Sequence, residues 1–322
     1  MNEIFCCAGR MLTIGHDAEY CTIYPEVGGS LSRWTVDQQD MLRVTNASSI
    51  AVGDMLGMAS FPLVPHSNRI GNGSFEWDGK PIQIAKNFAP EPHSIHGIGW
   101  ERPWLVAVQS DDAATLTLTH DGDDKWPWPF HASQRIHVGN QCLTLALSVR
   151  NLAPQLAPLA FGHHPYFDTD GATLAFDADA VWMTGKDALP TMAKRPKGQY
   201  DFSTPARVSE RKVDHCYTGV SGPTRIAWRD RRFAVEITSS PQLDAAVVYI
   251  PTGGDAFCFE PVPHISNALN LPGHKPSMPV ISPGASFETT IRFRAISQES
   301  DPFSSANNQS PSIRSSIGFT AN

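Results

Sequence analysis

Residues 143–149 read Leu-Thr-Leu-Ala-Leu-Ser-Val. Leucine or valine takes every odd position, and a small or hydroxyl-bearing residue takes every even one. That period of two puts the apolar set on one face of a half-buried β-strand. The same reading applies to TLTLT at 115–119, FAVEIT at 233–238, AVVYI at 246–250 and FETTIRF at 287–293. These runs alternate, or are rich in the β-branched and aromatic residues that fit a pleated surface. Between them fall most of the 26 prolines and 24 glycines. Asn72–Gly73, Asp78–Gly79 and Asp121–Gly122 are strong turn dipeptides, two of them flanking the short run Ser74–Trp77. Convincing helical patterns are absent. Many short strands with frequent turn signals predict an all-β sandwich or barrel.

The balance of 41% hydrophobic and 18% charged residues over 322 positions supplies a sizeable core. A net charge of −7 argues against nucleic acid, whose binding rests on neutralised phosphates, and against an acidic membrane surface. No run of about 18 apolar residues predicts a membrane-spanning helix. The N-terminus MNEIFCCAGRMLTIGH lacks the basic start and long apolar run of a secretory signal. Cys6, Cys7, Cys21, Cys142, Cys216 and Cys258 form no CxxC pair. Reduced thiols in a cytoplasmic protein are the expectation, and no metal site is expected from them. No linker divides residues 1–296, which read as one domain. Residues 297–322 turn polar and serine-rich, the composition of a flexible tail.

Five places carry candidate chemistry. Arg69, after Ser67 and Asn68, is a surface charge, an internal ion-pair partner, or a fork for sugar hydroxyls or a phosphate. His93 and His96 have HxxH spacing, but no HExxH or acidic ligand signature accompanies them, so metal is not expected there; nor is a zinc hydrolase built on His93, His96 and His163. Nearby Trp100 and Trp104 are core residues or a sugar platform, core being the commoner role. His163 and His164 precede Pro165, and a residue before proline favours extended backbone. Asp214, ahead of His215, caps a turn or accepts sugar hydroxyls. Glu260 sits in FCFEPVPH, where burial raises a carboxylate's pKa unless it is paired.

Taken in order, SNRIGNGSFEWDGK, HSIHGIGWERPW, FGHHPYFD, VDHCYTG and CFEPVPHISNALNLPG resemble the aldose 1-epimerase (galactose mutarotase) family, over about residues 17–293. The resemblance implies the large antiparallel β-sandwich of the galactose mutarotase-like (supersandwich) type. It also implies anomer interconversion of a free aldose such as galactose or glucose. Glu260 would be the catalytic base, His164 rather than His163 the general acid, and His96 a second catalytic histidine. Arg69 with its neighbour Asn68, and Asp214, would hold the sugar. No metal or other cofactor is implied, and the partner is a monosaccharide, handled by a monomer or homodimer. Departures from the family pattern are His66, where an aromatic is common, and Pro165 within the HxYF segment. Reference pKa values near 4.3 for glutamate and 6.5 for histidine predict an ionised Glu260 facing a protonated His164. The competing functions are a hexose-6-phosphate mutarotase, which needs a basic cluster from residues such as Arg69 and Arg102, and a sugar-binding protein without catalysis.

Overall fold

The computed structural model describes residues 10–298 except 17, 275 and 276. Each of the five expected strands is present and is extended at one or both ends. They are Ala113–His120, Cys142–Asn151, Phe233–Ser239, Ala245–Ile250 and Ser286–Ser297. Burial along Cys142–Asn151 alternates strictly up to its end, as the leucine spacing requires.

The strands form two large antiparallel sheets of eleven and nine strands. The middle of the first runs Ser60–Leu63, Gly162–Asp168, Ala256–Val262, Ala245–Ile250 and Val213–Thr218. The middle of the second runs Phe130–Val138, Cys142–Asn151, Ser286–Ser297 and Phe233–Ser239. The sheets pack face to face through aromatic contacts. Phe176 lies 5.1 Å from Phe259 and 5.0 Å from Tyr217, and Phe167 lies 6.5 Å from Trp228 (ring centroids). This is the sandwich the alternating pattern predicts.

Asp78 and Gly79 both take positive φ (51° and 68°), closing a two-residue hairpin with Trp77 paired to Lys80. One α-helix occurs among the described residues, Ala47–Val52. It buries none of its residues, so no apolar periodicity marked it in the sequence. No helix among the described residues is long and apolar enough to cross a membrane. The last strand runs through Ser297, and Gln298 donates to the Trp228 carbonyl at 2.8 Å. The serine-rich segment from residue 299 lies outside the described residues.

The strand Ala256–Val262 is buried at every position. Such a strand has both faces covered. Its inner face carries Phe257 and Phe259 against the second sheet. Its outer face carries Cys258 and Glu260, beneath the segments that hold Asn68, Arg69 and His96.

Candidate active site

Neighbouring residues in a strand point to opposite faces. His163 and His164 lie in Gly162–Asp168 and therefore part company. His163 turns into the sandwich, where Nδ1 meets Ser60 Oγ and Nε2 meets Gln134 Oε1 at 3.3 Å. Gln134 belongs to the opposite sheet and itself donates to the Gly29 carbonyl at 2.8 Å. His164 turns the other way. Its Nε2 stands 3.2 Å from Glu260 Oε1.

Pairing of the two strands places these residues together. Tyr166 is opposite Cys258 and Phe167 opposite Phe257, so the same antiparallel register carried two residues further sets His164 against Glu260. Both are buried (5% and 1% exposed), and His164 Nδ1 and Glu260 Oε2 have no hydrogen-bond partner among the described residues. Buried polar atoms are normally satisfied, so two orphans on one contacting pair mark a place built for something else. Phe61 stacks on the His164 ring at 4.5 Å and Tyr166 lies tilted at 4.7 Å, fixing the imidazole's plane.

Burial acts on both members. It raises the Glu260 pKa well above the usual carboxylate range; nearby Asp214 adds to the rise and Arg69 opposes it. Burial pushes His164 down to about 3, with Arg43 adding to the fall. The expected resting ion pair is therefore corrected. Desolvation disfavours each charge, and the couple rests toward an uncharged carboxylic acid beside a neutral imidazole.

His96 stands at 5.1 Å from the His164 ring, nearly perpendicular to it. Its backbone is left-handed (φ 60°), as is that of Asn68 (φ 53°). The two residues brace each other: the His96 N–H donates to the Asn68 carbonyl at 3.0 Å, and the Asn68 N–H donates to His96 Nδ1 at 3.2 Å. Burial holds the His96 pKa well below its ordinary value, with His164 next among the causes. With Nδ1 accepting, the neutral ring carries its proton on Nε2. Gly97 also has positive φ (68°), and a Cβ there would lie 2.3 Å from the Val64 carbonyl oxygen. Only glycine fits beside His96.

Arg69 is held from two sides. Its Nε lies 3.3 Å from Glu91 Oε2 and its Nη2 3.5 Å from Asp214 Oδ2. Asp214 is in Val213–Thr218, opposite Tyr249 and on the Glu260 face of the sheet, with its side chain 40% exposed at the mouth. The Asn68 side chain accepts from the Arg69 N–H and from Ser266 Oγ, both at 2.9 Å, so its Oδ1 fixes the turn that presents Arg69. Asn68, Arg69, Trp182, Asp214, His215 and Ser266 line a small cavity on the Arg69 and Asp214 side of the site, to which Glu260, His164 and His96 do not contribute.

The structure thus brings Glu260, His164, His96, Arg69 and Asp214 to one place, with Asn68 bracing two of them. It does not bring His93 in as a ligand. His93 accepts the Asn72 N–H at Nδ1 and meets the Asp187 carbonyl at Nε2, both at 2.9 Å. With His163 on the far face, the zinc trio is not assembled. Arg102 pairs with Asp123 at 2.5 Å. Trp100 and Trp104 are core, bonded through Nε1 to the Gly97 and Gly99 carbonyls. His66 is buried against Trp126 at 5.3 Å, filling an aromatic's place. Sequence reasoning missed Glu91, whose role depends on a loop's course, and Cys258, whose thiol shares the face of the catalytic candidates.

A family model described as aldose 1-epimerase matches residues 10–294. YphB of Escherichia coli K12, itself uncharacterized, is 26% identical over 276 residues, covering 83% of this chain and 92% of its own. Human galactose mutarotase is 24% identical over 236 residues, 61% of this chain and 67% of its own. The crystal structure of a putative aldose 1-epimerase from E. coli K12 superposes with a TM-score of 0.81 at 24% identity, covering 89% of this chain and 99% of that one. That likeness establishes the fold, and the match over nearly all of the described residues establishes the lineage: this chain belongs to the aldose 1-epimerase family.

Proposed function

We propose that this protein interconverts the α and β anomers of an uncharged aldose, with Glu260 and His164 moving the protons. The observation that carries the reading is the buried contact between these two side chains, each with an unpartnered atom left over.

Opening a pyranose ring removes a proton from the C1 hydroxyl, breaks the bond from C1 to the ring oxygen, and adds a proton to that oxygen. Glu260 as carboxylate takes the first proton, and His164 as imidazolium gives the second. The products are the open-chain aldehyde, protonated Glu260 and neutral His164. Rotation about C1–C2 turns the other carbonyl face toward the ring hydroxyl, and the reverse transfers close the other anomer. The couple holds one proton throughout. Burial favours its uncharged form, which is the form that accompanies the aldehyde. The 3.2 Å contact allows the proton to pass directly between the partners and reset the couple.

His96, neutral with its proton on Nε2, donates a hydrogen bond to a sugar oxygen without competing for the transferred proton. Arg69 and Asp214 grip the remaining hydroxyls and limit unproductive poses. The Arg69 guanidinium at the mouth is already clamped by the Asp214 and Glu91 carboxylates, and the other nearby guanidinium, Arg43, is stacked over the Tyr166 ring. A phosphate dianion would have to compete with two carboxylates for the Arg69 fork, which supports an uncharged sugar over a sugar phosphate.

Polarimetry on freshly dissolved galactose, glucose, other aldoses and their 6-phosphates tests the reading. Faster equilibration of at least one free aldose is expected. Acceleration confined to phosphates would sink the substrate assignment.

A further inference from the structure

Cys258 stands two residues before Glu260 on the same face of Ala256–Val262, and no step of the proposed reaction uses it. Its partner across the ladder is Tyr166, two residues beyond His164. The thiol, the carboxylate and the imidazole therefore occupy adjoining positions on one face of two paired strands. One donor atom from each lies within 4.8 Å of the other two, and all three residues are buried. Glu260 Oε2 and His164 Nδ1 are unpartnered, so donor capacity remains in a cluster already desolvated.

One sulfur, one nitrogen and one oxygen suit a borderline-soft dication. Zinc binds these donors tetrahedrally at about 2.0–2.3 Å, which sets them roughly 3.3–3.8 Å apart. His164 Nε2 and Glu260 Oε1 already stand 3.2 Å apart, and the three donors lie within 4.8 Å of one another, so a small inward shift of the Cys258 side chain completes the spacing. A thiolate and a carboxylate together balance a dication's charge, so binding offsets the burial penalty that each anion would carry alone. Two protons leave to solvent as the metal bonds form, one from the Cys258 thiol and one from the Glu260–His164 couple. Three protein donors leave a fourth position open to water.

We propose that Cys258, His164 and Glu260 form an inhibitory site for zinc or a similarly thiophilic dication such as cadmium. An ion there occupies both proton-transfer groups and competes with the sugar. The inhibition rests on the acid–base reading above, whereas the binding does not.

The full-length protein is stripped with a chelator, exchanged into chelator-free buffer and titrated with cadmium chloride. Cadmium–thiolate charge-transfer absorption, bound metal per chain and thermal stability are followed. Inhibition of mutarotation by zinc chloride is measured at several sugar concentrations. The wild type is expected to gain the thiolate band, to be stabilised against heat, and to be inhibited competitively. In C258S, with inhibition taken relative to that variant's own rate, the metal concentration needed rises at least about tenfold, since even outer-shell changes weaken metal sites by 10–100-fold. C258A, followed by the same band and by metal-induced stabilisation, guards against a folding defect in one variant. Both substitutions leave Cys6 and Cys7 in place, so equal affinity and an unchanged band in the variants would overturn the proposal. If the wild type lacks mutarotase activity, the band and its loss still decide the binding site, while the acid–base reading fails separately.

Discussion

His164 Nε2 lies 3.2 Å from Glu260 Oε1, and the two side chains reach each other across neighbouring strands that are rigid parts of a large sheet. A pair held this way needs no loop to close in order to meet. Its geometry is set by strand register and by the aromatic rings of Phe61 and Tyr166 against the imidazole.

The adjacent histidines should separate by phenotype. H164N is expected to lower mutarotation by about 10²–10⁴-fold, the usual range for losing an acid–base group, with little change in denaturant midpoint. H163N removes the contacts to Ser60 and Gln134 inside the sandwich and should instead destabilise by about 1–3 kcal/mol, the range for orphaning buried partners. Its surviving folded fraction should retain most activity. Urea melts and rates on both variants check this, and a reversed ordering would place the wrong histidine at the site.

Arg69 acts through its fork, so lysine should not replace it. R69K loses the two-sided engagement of Glu91 and Asp214, and is expected to raise KM roughly 10–100-fold with a smaller change in kcat. E91Q removes one side of that clamp and should raise KM less than R69K does. Steady-state kinetics on the two variants make the comparison. An unchanged KM in R69K would remove Arg69 from sugar binding.

Acid should weaken the fold through histidines away from the pair. Burial lowers the pKa of His66 and His163 to about 3 and of His264 to about 4. The unfolded chain protonates such groups near pH 6.5. Above that value both states hold them neutral and their contribution to stability is complete. As pH falls from about 6.5 toward 3–4, the unfolded state takes up protons that the folded state refuses, and stability drops with it. Urea midpoints at pH 7.5 and 5 should differ markedly. H264Q, whose longer amide reaches the place of Nε2 and can still accept the Ser67 N–H, should flatten the dependence by about one proton. A flat profile in the wild type would contradict the burial argument.

Sugar phosphates should compete poorly. Glucose 6-phosphate is expected to leave mutarotation of free glucose almost unchanged at concentrations where a neutral competitor inhibits. Raising ionic strength should lessen whatever difference remains, since salt screens the acidic mouth.

Much of the fold was legible because alternation in runs such as LTLALSV follows directly from strand geometry. The AVVYI run was legible for a different reason: its strand is covered on both faces, which leaves a nearly continuous apolar run. The choice of His164 over His163 was not available from local physics, since a one-residue step in a strand says that they diverge but not which one faces a site. Ordered resemblance made that choice, and the inward contact of His163 to Gln134 gives its physical reason. Cys258 and Glu91 stayed hidden because their roles depend on ladder register and loop course across long sequence separations. The protonation of the pair was misjudged from reference pKa values, which take no account of a site where both groups have lost their water.

The central claim is most directly tested by the rate at which freshly dissolved α-galactose and α-glucose reach anomeric equilibrium, followed by polarimetry with equal amounts of wild type and E260Q. Wild type should accelerate at least one of them well above the buffer rate, and folded E260Q should fall back by about 10²–10⁴-fold toward that rate. Undiminished acceleration by E260Q would contradict the account.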